Sequence, residues 1–294
     1  MTRTDELMAT CWSSAGDAAS DRTDLRSPLP LRTRVEAASA AGFTGFGLLS
    51  DDLPAAVAEL GLPGIRTLLA DNGIVHLELE SIPYWWDDGA HRAESDRVRR
   101  ALLEAAEVLQ PRHLKVTPDG DAAPWDRGHW AEKFARLAGQ AEGVGARLGI
   151  EFFPWANVGS LQEGLRLVEE AGHDNGGVII DTWHVARANT PTSELADVPL
   201  HRIIGVELDD ADEHIVGTLF EDTVHRRRYC GEGTFDLVGM VAALRSAGWT
   251  GPWGVEILSD EHRSQPVDVA LARAAASARR VLDPEPGRAD SARD

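Results

Sequence analysis

LGIEFFP (148–154), GVIIDTW (177–183), RIIGVELD (202–209) and PWGVEIL (252–258) are four short, largely apolar runs, and each carries one acidic residue near its end. Runs of this length, bounded by Gly, Pro, Asp or Asn, read as buried strands. The acids are Glu151, Asp181, Glu207 and Glu256. A carboxylate buried alone in such a run is very costly, so each needs a cationic partner or a metal ion. Asp181 follows Glu151 by 30 positions and Glu207 follows Asp181 by 26. Each step is one strand-plus-helix repeat, which puts the groups at similar height on neighbouring strands. The step from Glu207 to Glu256 is 49, and the long loop 209–233 takes up the excess.

Upstream, LMATCW (7–12), TGFGLL (44–49), IVHLELE (74–80) and RHLKVTP (112–118) have the same strand character, which makes eight runs. Helical patterns lie between them: 31–42, 62–73, 94–110, 130–149, 160–172, 235–248 and 267–282, with a weaker one at 193–200. Several end in Gly, a favoured helix stop. Strictly alternating strands and helices imply a parallel sheet, and eight units fit a closed barrel. Neither G-x-G-x-x-G after the first strand nor GxxxxGK[ST] occurs, so an open nucleotide-binding sheet is the weaker reading. The expected fold class is α/β, a single-domain (β/α)8 TIM barrel over residues 1–282. The charged stretch DPEPGRADSARD (283–294) is expected to be a flexible C-terminal tail. In such barrels the chemistry sits at the C-terminal ends of the strands, where these four carboxylates fall.

The chain has 294 residues and a net charge of −19. That charge argues against a nucleic-acid partner, which needs a basic stripe, and against an anionic membrane surface. Only two cysteines are present, Cys11 and Cys230, too few for a disulfide framework. No stretch approaches the ~20 apolar residues of a membrane span, and no signal peptide is evident. A reducing cytoplasm is the expected location, and a homo-oligomer is compatible with the sequence. Four oxygen ligands favour Mn²⁺ or Mg²⁺ over Zn²⁺. The competing account of each acid, a structural ion pair with a barrel arginine, is weakened by finding four at matching positions.

The motifs IEFFP (150–154), DTWH (181–184), VELDD (206–210), HRRRYCGEGTFD (225–236) and GVEIL (254–258) resemble those of the xylose-isomerase-like superfamily of sugar phosphate isomerases, epimerases and related lyases. The resemblance runs from the first strand to the last helix. It implies that Glu151, Asp181 and Glu256 are metal ligands, and that Glu151 and Glu256 are also the acid/base pair on opposite faces of a substrate. It further implies that His184 and Arg227 hold substrate oxygens. Glu207 departs from the pattern, since the superfamily usually has His there and some members have Gln. Four carboxylates around one divalent ion leave a charge of about −2. Glu207 is read as a fourth ligand, with a cation such as Arg227 compensating. An amide at 207 would then be expected to keep an oxygen on the metal and to relieve crowding. The implied cofactor is one divalent ion, Mn²⁺ first, with Mg²⁺ or Co²⁺ as alternatives.

Lys115, one of two lysines, closes the fourth run and is placed in the pocket, with Asp119 or Asp121 as alternative partners. His76, Glu78 and Glu80 share one face of the third strand, and Glu80 is nearest the mouth. A buried ion pair lower in the barrel accounts equally well for Glu78. Trp12 and Ser13 end the first run and are candidates for the same mouth. Trp85, Trp86 and Trp155 either stack on a sugar face or cap the core.

The expected activity is isomerisation or epimerisation of a keto-sugar, cyclitol or related hydroxy-ketone, by proton abstraction through a metal-stabilised enediolate. The alternative is β-elimination on a 3-keto-glycoside or keto-cyclitol, a lyase or dehydratase with the same site. A DNA-repair endonuclease of this fold is disfavoured by the charge and by the lack of a His-rich multi-zinc set. A non-catalytic sugar binder is disfavoured by the intact Glu151/Glu256 pair.

Overall fold

Each of the eight apolar runs forms a strand. They are β1 (Leu7–Ala9), β2 (Gly45–Leu49), β3 (His76–Glu80), β4 (His113–Val116), β5 (Arg147–Glu151), β6 (Gly176–Asp181), β7 (Ile203–Leu208) and β8 (Trp253–Val255). In the computed structural model, which describes residues 5–121 and 124–284, they pair in parallel in chain order, and β8 closes on β1. The chain is therefore a single-domain (β/α)8 barrel. Residues 1–4 of the expected domain and 285–294 of the expected tail lie outside the described residues.

The helices are α1 (Cys11–Ser14), α2 (Leu31–Ala40), α3 (Leu53–Asp71), α4 (Arg92–Leu109), α5 (Arg127–Gly143), α6 (Leu161–Ala171), α7 (Thr182–Arg187), α8 (Thr192–Ala196), α9 (Leu219–Arg226), α10 (Leu237–Ser246), α11 (Asp260–Arg263) and α12 (Val267–Leu282). Most foreseen helices occupy their expected places. The one expected over 130–149 stops at Gly143, because Gly145 adopts a φ of 78° and turns the chain into β5. α3 starts at Leu53, well before the expected 62, and is interrupted at Gly61 (φ 66°, ψ 159°) just ahead of Pro63. By length and a mean hydropathy of 1.2, α3 meets the criteria for a membrane span that the sequence reading did not find. In the fold it is an outer barrel helix with Ile65, Leu68 and Leu69 buried. α9 lies inside the segment expected to be a loop. It carries a capping box in which Thr218 and Glu221 satisfy each other's backbone N–H groups.

Strand alternation divides the molecule into two interiors. Leu77, Leu79, Leu114, Val116, Leu148, Ile150, Val178, Ile180, Val206 and Leu208 belong to the apolar core that the helices cover. The alternate positions face the barrel axis, and most of these are polar. In the lower layer Glu78 meets His113 at 2.5 Å, and burial lowers the His113 imidazole to about 3. One of the two accounts of Glu78 was a buried ion pair; its buried partner is an imidazole that this shift keeps neutral, so the contact is a hydrogen bond. Small residues make room for the layer. A side chain at Gly149 would collide with Ile179, and one at Gly205 would crowd Ile179 and His113. The next residues up β3 and β4 are Glu80 and Lys115, which are Cα partners in register.

Candidate active site and metal centre

The upper layer is built by strand ends. Glu151 ends β5 and Asp181 ends β6, while Glu207 lies in β7 directly opposite Asp181. Glu256 stands one residue past β8, and its N–H donates to the Leu208 carbonyl at 3.0 Å, which extends the ladder to it. Glu151 pairs with Ile179, and Glu207 with Gly254. The offsets from one acid to the next are therefore zero or two residues, and an even offset keeps every side chain on the axial face. The four carboxylates are at most 4 % exposed. One oxygen from each lies within 4.8 Å of one oxygen from every other.

Two buried cations enter this cluster. Lys115 Nζ reaches Glu80 at 2.7 Å, Glu207 at 2.9 Å, Glu151 at 3.5 Å and Glu256 at 3.6 Å. Its partners are thus the carboxylates of the axis and not Asp119 or Asp121. Arg227 follows α9 and turns inward. Its Nη1 is shared by Asp181 at 2.7 Å, Glu256 at 3.2 Å and Asp209, while Nε donates to Thr223 Oγ1. The cation on Glu207 is therefore Lys115, whereas Arg227 was the expected one. Burial lowers the Lys115 ammonium, but the surrounding carboxylates outweigh it and hold the group well above its ordinary value.

Asp181 caps α7, and its Oδ1 accepts the His184 N–H at 3.0 Å. That cap brings His184 over the cluster, with Nε2 at 3.3 Å from Glu151. His184, Glu151 and Asp181 also lie close enough to form a ligand group of their own. An aromatic wall stands against the imidazole. The ring centroids of Phe153 and Trp155 are 4.9 Å and 5.7 Å away, and Phe220 packs edge-on against Trp155. Trp85 and Trp86 pack instead with Trp130 of α5, and Trp85 Nε1 donates to the Thr117 carbonyl, so these two cap the core. Trp12 lies on α1, half-buried, and among the described residues its ring makes no hydrogen bond or ring contact with the cluster.

Asp209 was not singled out by the sequence reading. It is fully buried between Thr182 and Arg227. Its signal was the doubled acid Asp209–Asp210 just after β7. Asp210 has a different task, since it accepts the N–H groups of Ala211, Gly231, Gly233 and Phe235 and so folds the loop behind Arg227.

The donor set fits a divalent cation. Glu207 Oε2, Glu256 Oε1 and Glu80 Oε1 are buried without a hydrogen-bond partner. Burial pushes Glu256 up to about 8 against the pull of Lys115 and Arg227, and burial and the nearby Glu256 raise Glu207 well above its ordinary range. Glu151 is also opposed by burial, yet Lys115 and His184 hold it at about 2. Two cations among so many acids leave negative charge uncompensated, and hard oxygen donors suit Mn²⁺ or Mg²⁺.

A parallel eight-stranded barrel with a buried acidic cluster at its C-terminal face has the architecture of a barrel enzyme. Residues 35–283 match the xylose isomerase-like TIM barrel family, and the chain belongs to it. It is 28 % identical over 245 residues to a 3-dehydroshikimate dehydratase of Pseudomonas aeruginosa, covering 80 % of this chain and 37 % of that protein. The chain thus spans little more than a third of that relative. It is 22 % identical over 228 residues to an inosose isomerase of Halalkalibacterium halodurans, covering 75 % of this chain and 80 % of that one. Among solved structures, the IOLI protein with a binding zinc atom superposes with a TM-score of 0.82 at 18 % identity, over 94 % of this chain and 98 % of that one.

Proposed function

We propose that the chain is a divalent-metal-dependent isomerase or epimerase of a keto-sugar, cyclitol or related hydroxy-ketone. The observation that carries this reading is the buried group of Glu151, Asp181, Glu207 and Glu256, each with an oxygen within 4.8 Å of the others. These four would hold the ion, with Mn²⁺ first by the hardness of the donors. A divalent ion bound there supplies Lewis acidity to a carbonyl and its neighbouring hydroxyl. The zinc named for the IOLI protein supports a metal in this fold.

The protein's own groups do the rest. Glu151 and Glu256 approach from β5 and β8, with two strands between them, so each addresses a different face of a substrate seated over the cluster. One removes the proton from the carbon between carbonyl and hydroxyl, and the other returns a proton on the opposite face or the adjacent carbon. His184, at 3.3 Å from Glu151, orients that carboxylate and would hold a substrate oxygen. Arg227 holds Asp181 and Glu256 in place and lends positive charge to the same side. Phe153, Trp155 and Phe220 exclude water and present apolar faces to a ring.

The second reading, a lyase or dehydratase that expels a β-leaving group, is favoured by the 3-dehydroshikimate dehydratase relatives. A substrate bearing a carboxylate is commonly held by a cation free of other partners. Among the described residues, Arg187, Arg226, Arg227, Arg228 and Arg263, which follow β6, β7 and β8, are each paired with Asp or Glu. That pairing supports a neutral polyhydroxy ketone. The test is to incubate Mn²⁺-loaded protein with inososes, ketohexoses and 3-dehydroshikimate in D₂O and follow them by NMR. The expected result is deuterium at the carbon beside the carbonyl of a neutral ketone, with a new epimer or isomer. Release of an unsaturated product from 3-dehydroshikimate alone would favour the second reading.

A further inference from the structure

The two oxygens of Glu207 have different surroundings. Oε1 accepts from Lys115 Nζ at 2.9 Å, while Oε2 is buried and has no hydrogen-bond partner. Lys115 is itself 1 % exposed and comes from β4, three strands away around the barrel, with Glu80 of the adjacent strand holding it at 2.7 Å. We propose that Lys115 and Glu207 work as one metal-binding unit, in which the ammonium holds Oε1 so that Oε2 is the atom presented to the ion. The inference rests on the divalent-metal reading above.

Four carboxylates around one divalent ion sum to a formal −2; Lys115 and Arg227 offset that charge in part, since each also carries a further buried acid, Glu80 and Asp209. An ammonium has only hydrogens to offer, so the atom it faces must be an acceptor. A carboxylate satisfies both neighbours, with one oxygen for Lys115 and one for the ion. An amide has a single oxygen. With Lys115 in place that oxygen faces the ammonium and the NH₂ faces the ion, so Gln at 207 does not simply relieve crowding. Glutamine is tolerated at 207 only when Lys115 is removed as well, because its oxygen is then released for the ion. Lys115 is therefore a positioning residue for the ligand and not a group that meets the substrate.

The test is a calorimetric titration of Mn²⁺ into the wild type, E207Q and K115M/E207Q, each checked for folding by circular dichroism. E207Q is expected to bind about 10–100-fold more weakly, the usual cost of disturbing a group that orients a ligand. K115M/E207Q is expected to return to the wild-type affinity. E207Q binding as tightly as the wild type, or K115M/E207Q remaining as weak as E207Q, overturns the pairing. Should K115M/E207Q fail to fold, E207H against K115M/E207H makes the same comparison, with a neutral nitrogen ligand in place of the amide. Absence of Mn²⁺ binding by the wild type would overturn the metal reading itself, and the pair with it.

Discussion

Replacing Glu151 or Glu256 by Gln is expected to slow turnover by about 10²-fold or more, the contribution of the general acid and base proposed there. The substitution is nearly isosteric, so far-ultraviolet circular dichroism should be unchanged. The two variants separate in a partial reaction. One retains the group that removes the proton and still exchanges substrate hydrogen with D₂O, although it forms no product. The other does not exchange. This follows from the placement of the two carboxylates on β5 and just beyond β8, with β6 and β7 between them. Near-normal turnover in both variants would place the chemistry elsewhere in the molecule.

Lys115→Met has the largest expected effect on stability. Its Nζ lies within 3.6 Å of four buried carboxylates, and none of them is more than 5 % exposed in its side chain. Removing one partner of a buried ion pair costs about 3–5 kcal/mol, because the remaining charge has no water to return to. For a chain of this size that corresponds to a fall in melting temperature of roughly 5–8 °C. Saturating Mn²⁺ should recover much of the loss, since an ion bound only by the native state adds stability. Thermal unfolding with and without Mn²⁺ measures both quantities. An unchanged melting temperature in Lys115→Met would mean that the ammonium does not hold the cluster.

The fold was legible because the barrel repeats one pattern eight times. Each strand is a short apolar run with a stop on either side, and the parity of Glu151, Asp181, Glu207 and Glu256 within their runs marks the axial face. The missed helix α9 had a local signal in Thr218-x-x-Glu221, a capping box, which the surrounding polar residues obscured. The extra half of α3 was hidden by Gly61 and Pro63, which read as a boundary but only interrupt the helix.

The acids of the cluster could be located from sequence because a buried carboxylate is conspicuous in an apolar run. Their partners could not, because partnership depends on how far a side chain reaches across the barrel. Lys115 meets Glu207 from three strands away, a contact that sequence spacing does not report. Arg227 was expected to attend Glu207, yet the turn after α9 delivers it to Asp181, Asp209 and Glu256. The tryptophans show the same limit. Trp155 belongs to the wall beside His184, whereas Trp86 stacks on Trp130, and nothing local to either residue separates the two outcomes.

The four strand-end carboxylates are proposed to bind a divalent cation. Metal-stripped protein dialysed to equilibrium against Mn²⁺ and then analysed for metal should retain about one equivalent. Asp181→Asn should retain far less, because Asp181 is both a proposed ligand and the cap that sets His184. No retained Mn²⁺ in the wild type, with Mg²⁺, Co²⁺ and Zn²⁺ equally absent in parallel dialyses, would contradict the account.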